Sequence, residues 1–282
     1  MFNLSITELE KYIQDDIPYF DLTTSLQNCN DKKVELEVYT REEIVISCSE
    51  EAVKIAELLN CKVEFYLKSK EKALKNDVIL KYTGFYEDVQ KAWKLTQVLL
   101  EYSCKISTTA FLMKEEIEEV NQKCELLTTR KTFPLSKRFC IKAAVCGGAI
   151  PHRLGLSETI LFFNAHRIIY KNNEEFYKAV EKIKINSSEK SVAVESDNAE
   201  DSKRLMQIGV DTIQLDKINF ETLDDILKYK NVNYPKVRIL LTGGINISNV
   251  KEFAKYPIDG IVTSSIYLNG MSDLSSRLKI IE

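Results

Sequence analysis

The stretches Leu127-Thr-Thr-Arg-Lys-Thr-Phe-Pro134 and Cys146-Gly-Gly-Ala-Ile-Pro-His-Arg153 decide how this chain is interpreted. An apolar run at 125–128 leads into the arginine and lysine of the first stretch, and another at 159–163 follows the second. The glycine pair lets the backbone bend because glycine has no Cβ. A guanidinium suits carboxylate or phosphate, and lysine adds a point charge. Cations tied to strand ends in this way predict an anion-binding site rather than a solvated basic loop.

The composition of the chain restricts its class. Its 282 residues allow one large domain or two modest ones, and 44% apolar residues supply a sizeable core. A net charge of −3 without a long basic run argues against general nucleic-acid binding. No apolar run reaches membrane-span length and the N-terminus lacks the order of a signal peptide, so we expect a cytoplasmic protein without a membrane partner. Seven cysteines without a Cys-x-x-Cys pair indicate reduced thiols rather than a zinc site.

The chain before Glu125 mixes strand and helix patterns. Ser5 and Glu8 have the spacing of a capping box at the start of a helix. Residues 34–40 alternate apolar and polar side chains, which predicts a half-buried strand. Further predicted elements are strands at 44–47, 63–66 and 78–83, a helix at 49–59, and a helical stretch at 87–122 that is either two helices or one bent helix. This mixture predicts an α+β layer of helices on an open sheet.

From Glu125 onward, short apolar runs alternate with helical stretches. This alternation predicts parallel strands joined by right-handed crossovers. The predicted strands are 125–128, 159–163, 192–194, 212–215, 238–241 and 260–262. The predicted helices are 176–185, 199–208, 220–227 and 247–253.

Polar residues follow every one of these predicted strands. In chain order they are Arg130 and Lys131, Asn164, Glu195, Asp216, Thr242-Gly243-Gly244, and Thr263-Ser264-Ser265. An open sheet would spread these residues along a line, whereas a ring of strands brings them to one mouth, as in a β/α barrel. The small residues after the last two strands also match the phosphate site that late barrel loops form. We therefore favour an α/β fold with an irregular, incomplete β/α barrel of six strands.

Two acids, Glu195 and Asp216, each come first after an apolar strand. Such acids can hold ribose hydroxyls, or Mg²⁺ together with phosphates. Helix N-capping or a surface ion pair would also explain them. Asp197 and Asp201 are better capping candidates, so we assign Glu195 and Asp216 to the site.

The remaining candidates from the residues alone are small or basic. Thr242, Gly243 and Gly244 offer unobstructed backbone N–H groups, and Ser264 and Ser265 add hydroxyls, so these two loops are predicted to bind a phosphate at a helix N-terminus. His152 would orient an anion, move a proton, or serve only the structure.

The motifs at 128–134 and 151–159 resemble those of the quinolinate phosphoribosyltransferase family, also called nicotinate-nucleotide pyrophosphorylase. The chain is most similar to the ModD branch, which is associated with molybdenum transport. The resemblance extends more weakly from Asp15 to about Ser265. It implies an open-faced α+β sandwich at 1–105, for whose completion residues 268–282 are candidates, and a β/α barrel at 106–267.

The resemblance also implies an activity. Members of the family transfer ribose 5-phosphate from 5-phosphoribosyl 1-pyrophosphate to a pyridine carboxylate with the help of Mg²⁺, in NAD biosynthesis. By resemblance, Arg130 and Arg153 bind the substrate carboxylate, and Lys131 and Mg²⁺ stabilise the departing pyrophosphate. Lys94 falls where the family supplies a basic residue from a neighbouring subunit. We therefore expect homodimers or larger homo-oligomers with shared active sites.

One position departs from the resemblance. The quinolinate enzymes typically have a lysine where this chain has Phe163, within Leu161-Phe-Phe-Asn-Ala-His166. The departure puts quinolinate itself in doubt and leaves a related nitrogen heterocycle as the expected acceptor.

A second hypothesis is a non-catalytic protein that binds a phosphorylated metabolite or an oxyanion such as molybdate. The acids Glu195 and Asp216 favour the enzyme, because an anion sensor gains nothing from carboxylates beside its ligand.

Overall fold

The computed structural model describes residues 2–27 and 31–281, which form two compact units. Unit 1 contains the chain up to residue 112, together with 132–148 and the chain from 266 onward. Unit 2 contains residues 113–131 and 149–265. The chain therefore leaves unit 2 after Lys131 and returns to it at Ala149.

Unit 1 combines helices with an antiparallel sheet. Its helices are α1 (Ile6–Asp16), α2 (Leu22–Gln27), α3 (Ser49–Leu58), α5 (Lys137–Cys146) and the larger part of α4 (Tyr86–Glu118). Its strands are β1 (Lys33–Thr40), β2 (Ile44–Val45), β3 (Lys62–Tyr66), β4 (Lys72–Ala73), β5 (Val78–Phe85) and β13 (Leu274–Ile280). The four longer strands form one sheet in the order β13-β1-β5-β3, and β2 pairs with β4.

The capping box, the alternating strand and the long helical stretch predicted for unit 1 are all present in the structure. Ser5 and Glu8 form a reciprocal capping box on α1. The alternation at 34–40 places Val34, Leu36 and Val38 in the core of the sheet. The long helical stretch is one continuous helix, α4, rather than two.

Lys142 of α5 lies at the centre of a buried polar network in unit 1. Its Nζ is 2.6 Å from Glu51 Oε2, 3.1 Å from Glu50 Oε2 and 3.0 Å from Asn3 Oδ1. The side chains of Lys142 and Glu51 are each 1% exposed, and Glu51 Oε1 also accepts the Leu4 backbone N–H. Burial opposes the charged amine, yet the hydrogen bonds and charges of the glutamates raise the pKa of Lys142. The network therefore fastens the N-terminal segment to α3 and α5.

The cysteines fit the expectation of reduced thiols. The six that lie in the described ranges are buried, and none of these six takes part in a disulfide. Burial raises the pKa of both Cys61 and Cys124 to about 12, which keeps these two thiols protonated and unreactive. The seventh, Cys29, lies outside the described residues.

Unit 2 is built on a parallel sheet. Its strands are β6 (Glu125–Thr128), β7 (Ile150–Pro151), β8 (Ile160–Phe162), β9 (Val192–Ser196), β10 (Thr212–Asp216), β11 (Arg238–Thr242) and β12 (Gly260–Thr263). Its α-helices are α6 (Asn173–Asn186), α7 (Ala199–Gln207), α8 (Phe220–Asn233) and α9 (Val250–Ala254), and a 3₁₀ turn, η1 (Asn164–Ile169), follows β8. The strand order β7-β6-β12-β11-β10-β9-β8 gives a curled sheet.

The predicted number of six barrel strands is wrong by one. The additional strand, β7, is two residues long and pairs Ile150 with Leu127 of β6. Pattern analysis missed it because two residues show no period, and Pro151 is tolerated because β7 is an edge strand. β12 pairs with β6, whereas β7 and β8 are both edges of the sheet, so the barrel is incomplete as predicted.

A helix that crosses a lipid bilayer must be both long and predominantly apolar. Within residues 2–27 and 31–281, no helix is both long and apolar enough to cross a lipid bilayer.

Replacing Lys142 by methionine should destabilise the protein strongly. The change leaves the buried carboxylate of Glu51 without its cation, which typically costs about 3–5 kcal/mol. Urea denaturation of the variant and the parent measures the change in the free energy of unfolding. The control is Lys54→Met, which removes an exposed ion pair with Glu57 at 3.0 Å and should cost less than about 1 kcal/mol. Equal losses in the two variants would contradict the role given to the network.

Candidate active site

The carboxyl ends of the unit 2 strands collect nearly all the predicted site residues. Parallel register aligns Asp216 with Thr242, Thr242 with Val262, and Thr263 with Thr128. We call this edge of the sheet the carboxyl edge. The predicted residues that belong to unit 2 are Arg130, Lys131, His152, Arg153, Phe163, Glu195, Asp216, Thr242, Gly243, Gly244, Ser264 and Ser265. Lys94 instead lies on α4 within unit 1, where its Nζ is 4.4 Å from the centre of the Trp93 ring.

Glu195 and Asp216 stand on neighbouring strands, β9 and β10, and influence each other. Burial raises the pKa of Glu195, and the charge of Asp216 raises it further. Hydrogen bonds from Gln214 and from the Asn164 backbone, together with the charge of Lys131, act in the opposite direction. The three predicted catalytic residues therefore share one electrostatic environment.

Neither acid caps the helix that follows it. Asn198 caps α7 by accepting the Asp201 N–H, and Asn219 caps α8 by accepting the Thr222 N–H. The capping roles predicted for Asp197 and Asp201 are wrong, since Asn198 is the residue that caps α7. This arrangement leaves the Glu195 and Asp216 carboxylates for other partners.

Asp201 has a different part, in a buried ion pair. Its carboxylate accepts both Arg167 Nη1 at 2.7 Å and Arg167 Nη2 at 2.9 Å, and also the Tyr177 hydroxyl at 2.6 Å. Arg167 Nη2 additionally donates to the Glu195 carbonyl oxygen at 2.9 Å. The pair thereby ties η1 to the end of β9 and fixes the backbone that carries Glu195.

A glutamine that sequence reasoning missed joins two of the candidates. Gln214 of β10 is 4% exposed, with its amide between His152 and Glu195. Gln214 Oε1 lies 3.1 Å from His152 Nε2, and Gln214 Nε2 donates to Glu195 Oε2 at 3.1 Å. The available signal was an amide side chain between two apolar residues, Ile213 and Leu215. A buried amide must find hydrogen-bond partners, and functional side chains supply them here.

The cations of the site differ in their burial. Arg153 is 8% exposed, whereas Arg130 and Lys131 are exposed. Burial lowers the pKa of Arg153, the charge of Arg130 lowers it further, and Glu158 opposes both. Two guanidinium groups therefore lie near each other with one nearby carboxylate, which leaves them able to bind an anion.

Phe163 lies beside the buried arginine. The guanidinium carbon of Arg153 is 5.8 Å from the centre of the Phe163 ring. The Phe163 ring also stacks with His166, at 5.8 Å between centroids and 19° between planes. His166 Nδ1 also accepts the Phe163 backbone N–H at 2.9 Å, so the His166 ring is held in place against Phe163. The site therefore has an aromatic surface next to its buried cation.

The two loops predicted to bind phosphate are joined to each other. Thr242 Oγ1 donates to the Val262 carbonyl at 3.0 Å, and Thr263 Oγ1 donates to the Ile245 carbonyl at 2.7 Å. The backbone N–H of Ser265 donates to Thr263 Oγ1 at 3.0 Å. The helix after the first loop, α9, begins only at Val250, whereas a three-residue 3₁₀ turn begins at Ser265 after the second loop. The groups that these two loops present for binding a phosphate are backbone N–H groups and side-chain hydroxyls.

Gly243 allows the loop after β11 to approach Asp216 closely. Its φ is +96°, and a Cβ there would lie 2.5 Å from Lys217 Cγ, 2.7 Å from Asp216 Oδ1 and 2.9 Å from the Lys217 backbone nitrogen. Gly244 also has a positive φ, +72°, but its Cβ would have nothing within 4 Å. Both positions favour glycine because of their positive φ, but only at Gly243 would a Cβ also clash with neighbouring atoms.

The donor set fits a magnesium ion that is bound partly by substrate. In the part of the chain that the structure describes, no group of three or more His, Cys, Asp or Glu side chains is placed to hold a metal. Mg²⁺ is usually held by one or two carboxylates together with substrate phosphates. Glu195 and Asp216 match this mode, since their mutual repulsion favours a cation between them.

Family models match most of the chain. Residues 21–104 match "Quinolinate phosphoribosyl transferase, N-terminal domain", and residues 106–275 match "Quinolinate phosphoribosyl transferase, C-terminal domain". ModD of Pasteurella multocida, named as a pyrophosphorylase, is 27% identical over 274 residues, covering 97% of each chain. A protein of Methanocaldococcus jannaschii, named as a carboxylating nicotinate-nucleotide pyrophosphorylase, is 25% identical over 273 residues, covering 94% of each.

Solved structures share the fold. The nicotinate-nucleotide pyrophosphorylase from Francisella tularensis has a TM-score of 0.87 at 23% identity and covers 98% of both chains. NadC from Streptococcus pyogenes has a TM-score of 0.89 at 18% identity and covers 100% of both. The α+β sandwich and the incomplete parallel barrel are therefore an arrangement that other proteins also adopt.

Gly243→Ala should destabilise the protein more than Gly244→Ala. Both variants place alanine in a left-handed conformation, which costs about 1–2 kcal/mol. Only Gly243→Ala must also displace Asp216 or the backbone of Lys217. Urea denaturation of the two variants measures the difference in the free energy of unfolding. A Gly244→Ala loss equal to or above that of Gly243→Ala would contradict the close approach.

Proposed function

The chain belongs to the quinolinate phosphoribosyltransferase family, and from this membership we propose the roles of its residues in the reaction. It is a phosphoribosyltransferase that moves ribose 5-phosphate from 5-phosphoribosyl 1-pyrophosphate to the nitrogen of a pyridine carboxylate or a related heterocycle, releasing pyrophosphate. The observation that carries the site assignment is the acid pair, Glu195 and Asp216, in one electrostatic environment with Lys131.

The chemistry depends on fixed charge and positioning. Pyrophosphate departs from ribose C1, which becomes positively charged, and the heterocycle nitrogen then attacks that carbon. Glu195 and Asp216 hold the ribose and offset the positive charge, while Lys131 stabilises the leaving pyrophosphate. Preorganised charges of this kind act without a covalent nucleophile, because they cost no reorganisation at the moment of reaction.

The remaining residues bind the two substrates. Arg130 and Arg153 take the acceptor carboxylate, since a guanidinium binds a carboxylate through two parallel hydrogen bonds. The joined loops at 242–245 and 263–265, which include Ser264, take the 5-phosphate of the donor. Mg²⁺, when bound by Glu195 and Asp216, supplies charge neutralisation for the pyrophosphate.

The assembly that we propose is a homodimer or larger homo-oligomer in the cytoplasm, with shared active sites. Lys94 then serves the site of a neighbouring subunit. A link to molybdenum transport is part of the proposal, because the sequence motifs resemble those of the ModD branch. Light scattering gives the mass of the assembly in solution.

The competing function is oxyanion or metabolite binding without turnover. A pyrophosphate-release assay with a panel of nitrogen heterocycles separates the two, because a binding protein releases none. The acid pair favours turnover, since carboxylates repel the anion that a sensor would bind.

Glu195→Gln and Asp216→Asn should each lower kcat by about 100-fold or more, the scale found when a preorganised charge is removed from a site. Steady-state pyrophosphate release with an accepted heterocycle measures the change. Asp225→Asn is the matched control, because this acid lies on α8 in a partly exposed ion pair with Lys203 at 2.7 Å. Near-parental rates in both site variants would show that the acid pair lies outside the reaction.

Phe163 should make quinolinate a poor acceptor. Burying two carboxylates requires several cations, and an aromatic surface here favours stacking on a flat, less charged ring. Phe163→Lys should shift preference toward quinolinate by about 1–3 kcal/mol, the scale of a charge-assisted contact. The measurement is kcat/KM for quinolinate and for a monocarboxylate, with Phe163→Leu as the uncharged control. Efficient quinolinate turnover by the parent, unimproved by lysine, would refute this specificity.

A further inference from the structure

We propose that Gln214 is a positioning residue that transmits the charge of Glu195 to His152 and thereby fixes which ring nitrogen of His152 carries the proton. Gln214, Glu195 and His152 all belong to unit 2. Its meaning for the reaction rests on the proposed function, whereas the hydrogen-bond relay itself does not.

The relay has two links with different chemistry. An ionised carboxylate is only an acceptor, so the Gln214 group 3.1 Å from Glu195 Oε2 must be the amide nitrogen. The amide oxygen then points the other way, toward His152 Nε2 at 3.1 Å. An amide oxygen is only an acceptor, so His152 must donate from Nε2. The carboxylate therefore determines the proton position on a ring that it does not touch.

Packing leaves Gln214 little alternative. It is 4% exposed, and its strand neighbours in register are Glu195 on β9 and Leu240 on β11. Leu240 belongs to an apolar cluster with Leu127 and Val262, which offers the amide no hydrogen bond. Rotating the amide by half a turn would bring two acceptors together at Glu195. One orientation is therefore strongly favoured over the other.

A defined tautomer changes what His152 can do. With Nε2 protonated and the ring neutral, Nδ1 carries a lone pair and accepts a hydrogen bond. Burial and the charge of Arg153 both lower the pKa of His152, whereas the charge of Glu158 raises it. The lowered pKa favours the neutral ring. His152 then suits a substrate group that donates a proton, such as a hydroxyl, and not an oxyanion. Of the roles considered for this residue, anion binding is thereby disfavoured.

The chain is suited to a direct test because it contains two histidines. Protein labelled with ¹⁵N in its histidines gives one set of ring signals for His152 and one for His166, and His166→Gln assigns them. Protonated and unprotonated ring nitrogens have well-separated shifts. His166 is an internal reference, since its Nδ1 accepts the Phe163 backbone N–H and does not contact Gln214. We expect His152 of the parent to be protonated at Nε2, and a proton on Nδ1 alone would overturn the proposal.

Three substitutions separate the links of the relay. Gln214→Met keeps the length of the side chain and removes both hydrogen bonds, so His152 should become a mixture of tautomers. Gln214→Glu places a second carboxyl group beside Glu195, where the two carboxyl groups share one proton, and it retains an acceptor for His152, so Nε2 should keep its proton. Glu195→Gln lets the Gln214 amide take either orientation, so the single tautomer should be lost although His152 has no altered neighbour. A single Nε2–H form in all three variants would overturn the proposal, and unchanged His166 signals verify the fold.

Kinetics provide the second measurement. If the relay positions His152, Gln214→Met should lower kcat by about 10-fold to 100-fold, the usual cost of misplacing a group in a site. The KM for 5-phosphoribosyl 1-pyrophosphate should change less, and Gln214→Glu tests whether the tautomer alone suffices. The spectra require no turnover, so a parent without pyrophosphate release refutes the proposed function and leaves the relay standing. A lost tautomer with unchanged kcat would refute the positioning role.

Discussion

The repulsion between Glu195 and Asp216 is the constraint on which the carboxyl edge of unit 2 depends. Burial raises the pKa of Glu195, and the charge of Asp216 on the adjacent strand raises it further. The neighbouring elements offset it: Lys131 follows β6, Gln214 lies within β10, and the Asn164 backbone begins η1. The parallel register brings these groups to one edge although they are far apart in sequence. The order of the strands therefore brings the acids and the groups that stabilise their negative charge to the same place.

The sequence was sufficient for the parts of the fold that repeat. Alternating apolar and polar residues predicted β1, and the strand-and-helix alternation after Glu125 predicted the parallel strands, because a buried face imposes a period on its residues. The two-residue strand β7 was missed because it is too short for any period. The excursion of residues 132–148 into unit 1 was also missed, since a local pattern does not reveal which core a segment joins.

In the candidate site, too, local sequence patterns revealed positions but not long-range contacts. Acids and glycines directly after strands could be identified because their position is itself a signal. Gln214 and Arg167 could not be assigned roles, because their partners Glu195, His152 and Asp201 lie 19 to 62 positions away. Lys142 presents an extreme case, with an essential partner at a separation of 91 residues. Buried polar groups are specified by contacts across the fold, whereas periodicity reports only on neighbours along the chain.

The position of β13 has a consequence for synthesis of the protein. Residues 274–280 pair with 34–40, yet the ribosome makes them only after all of unit 2 has been made. Throughout that interval, β1 is an open edge that can pair with a strand of another nascent chain. Until Lys279 and Arg277 are made, Glu35 and Glu37 share a single cation, Lys81 of β5, so the edge carries an excess of negative charge that discourages such pairing. Acidic residues that look like ordinary surface charge in the finished sheet thus have an additional effect on the edge of the sheet while the chain is still being translated.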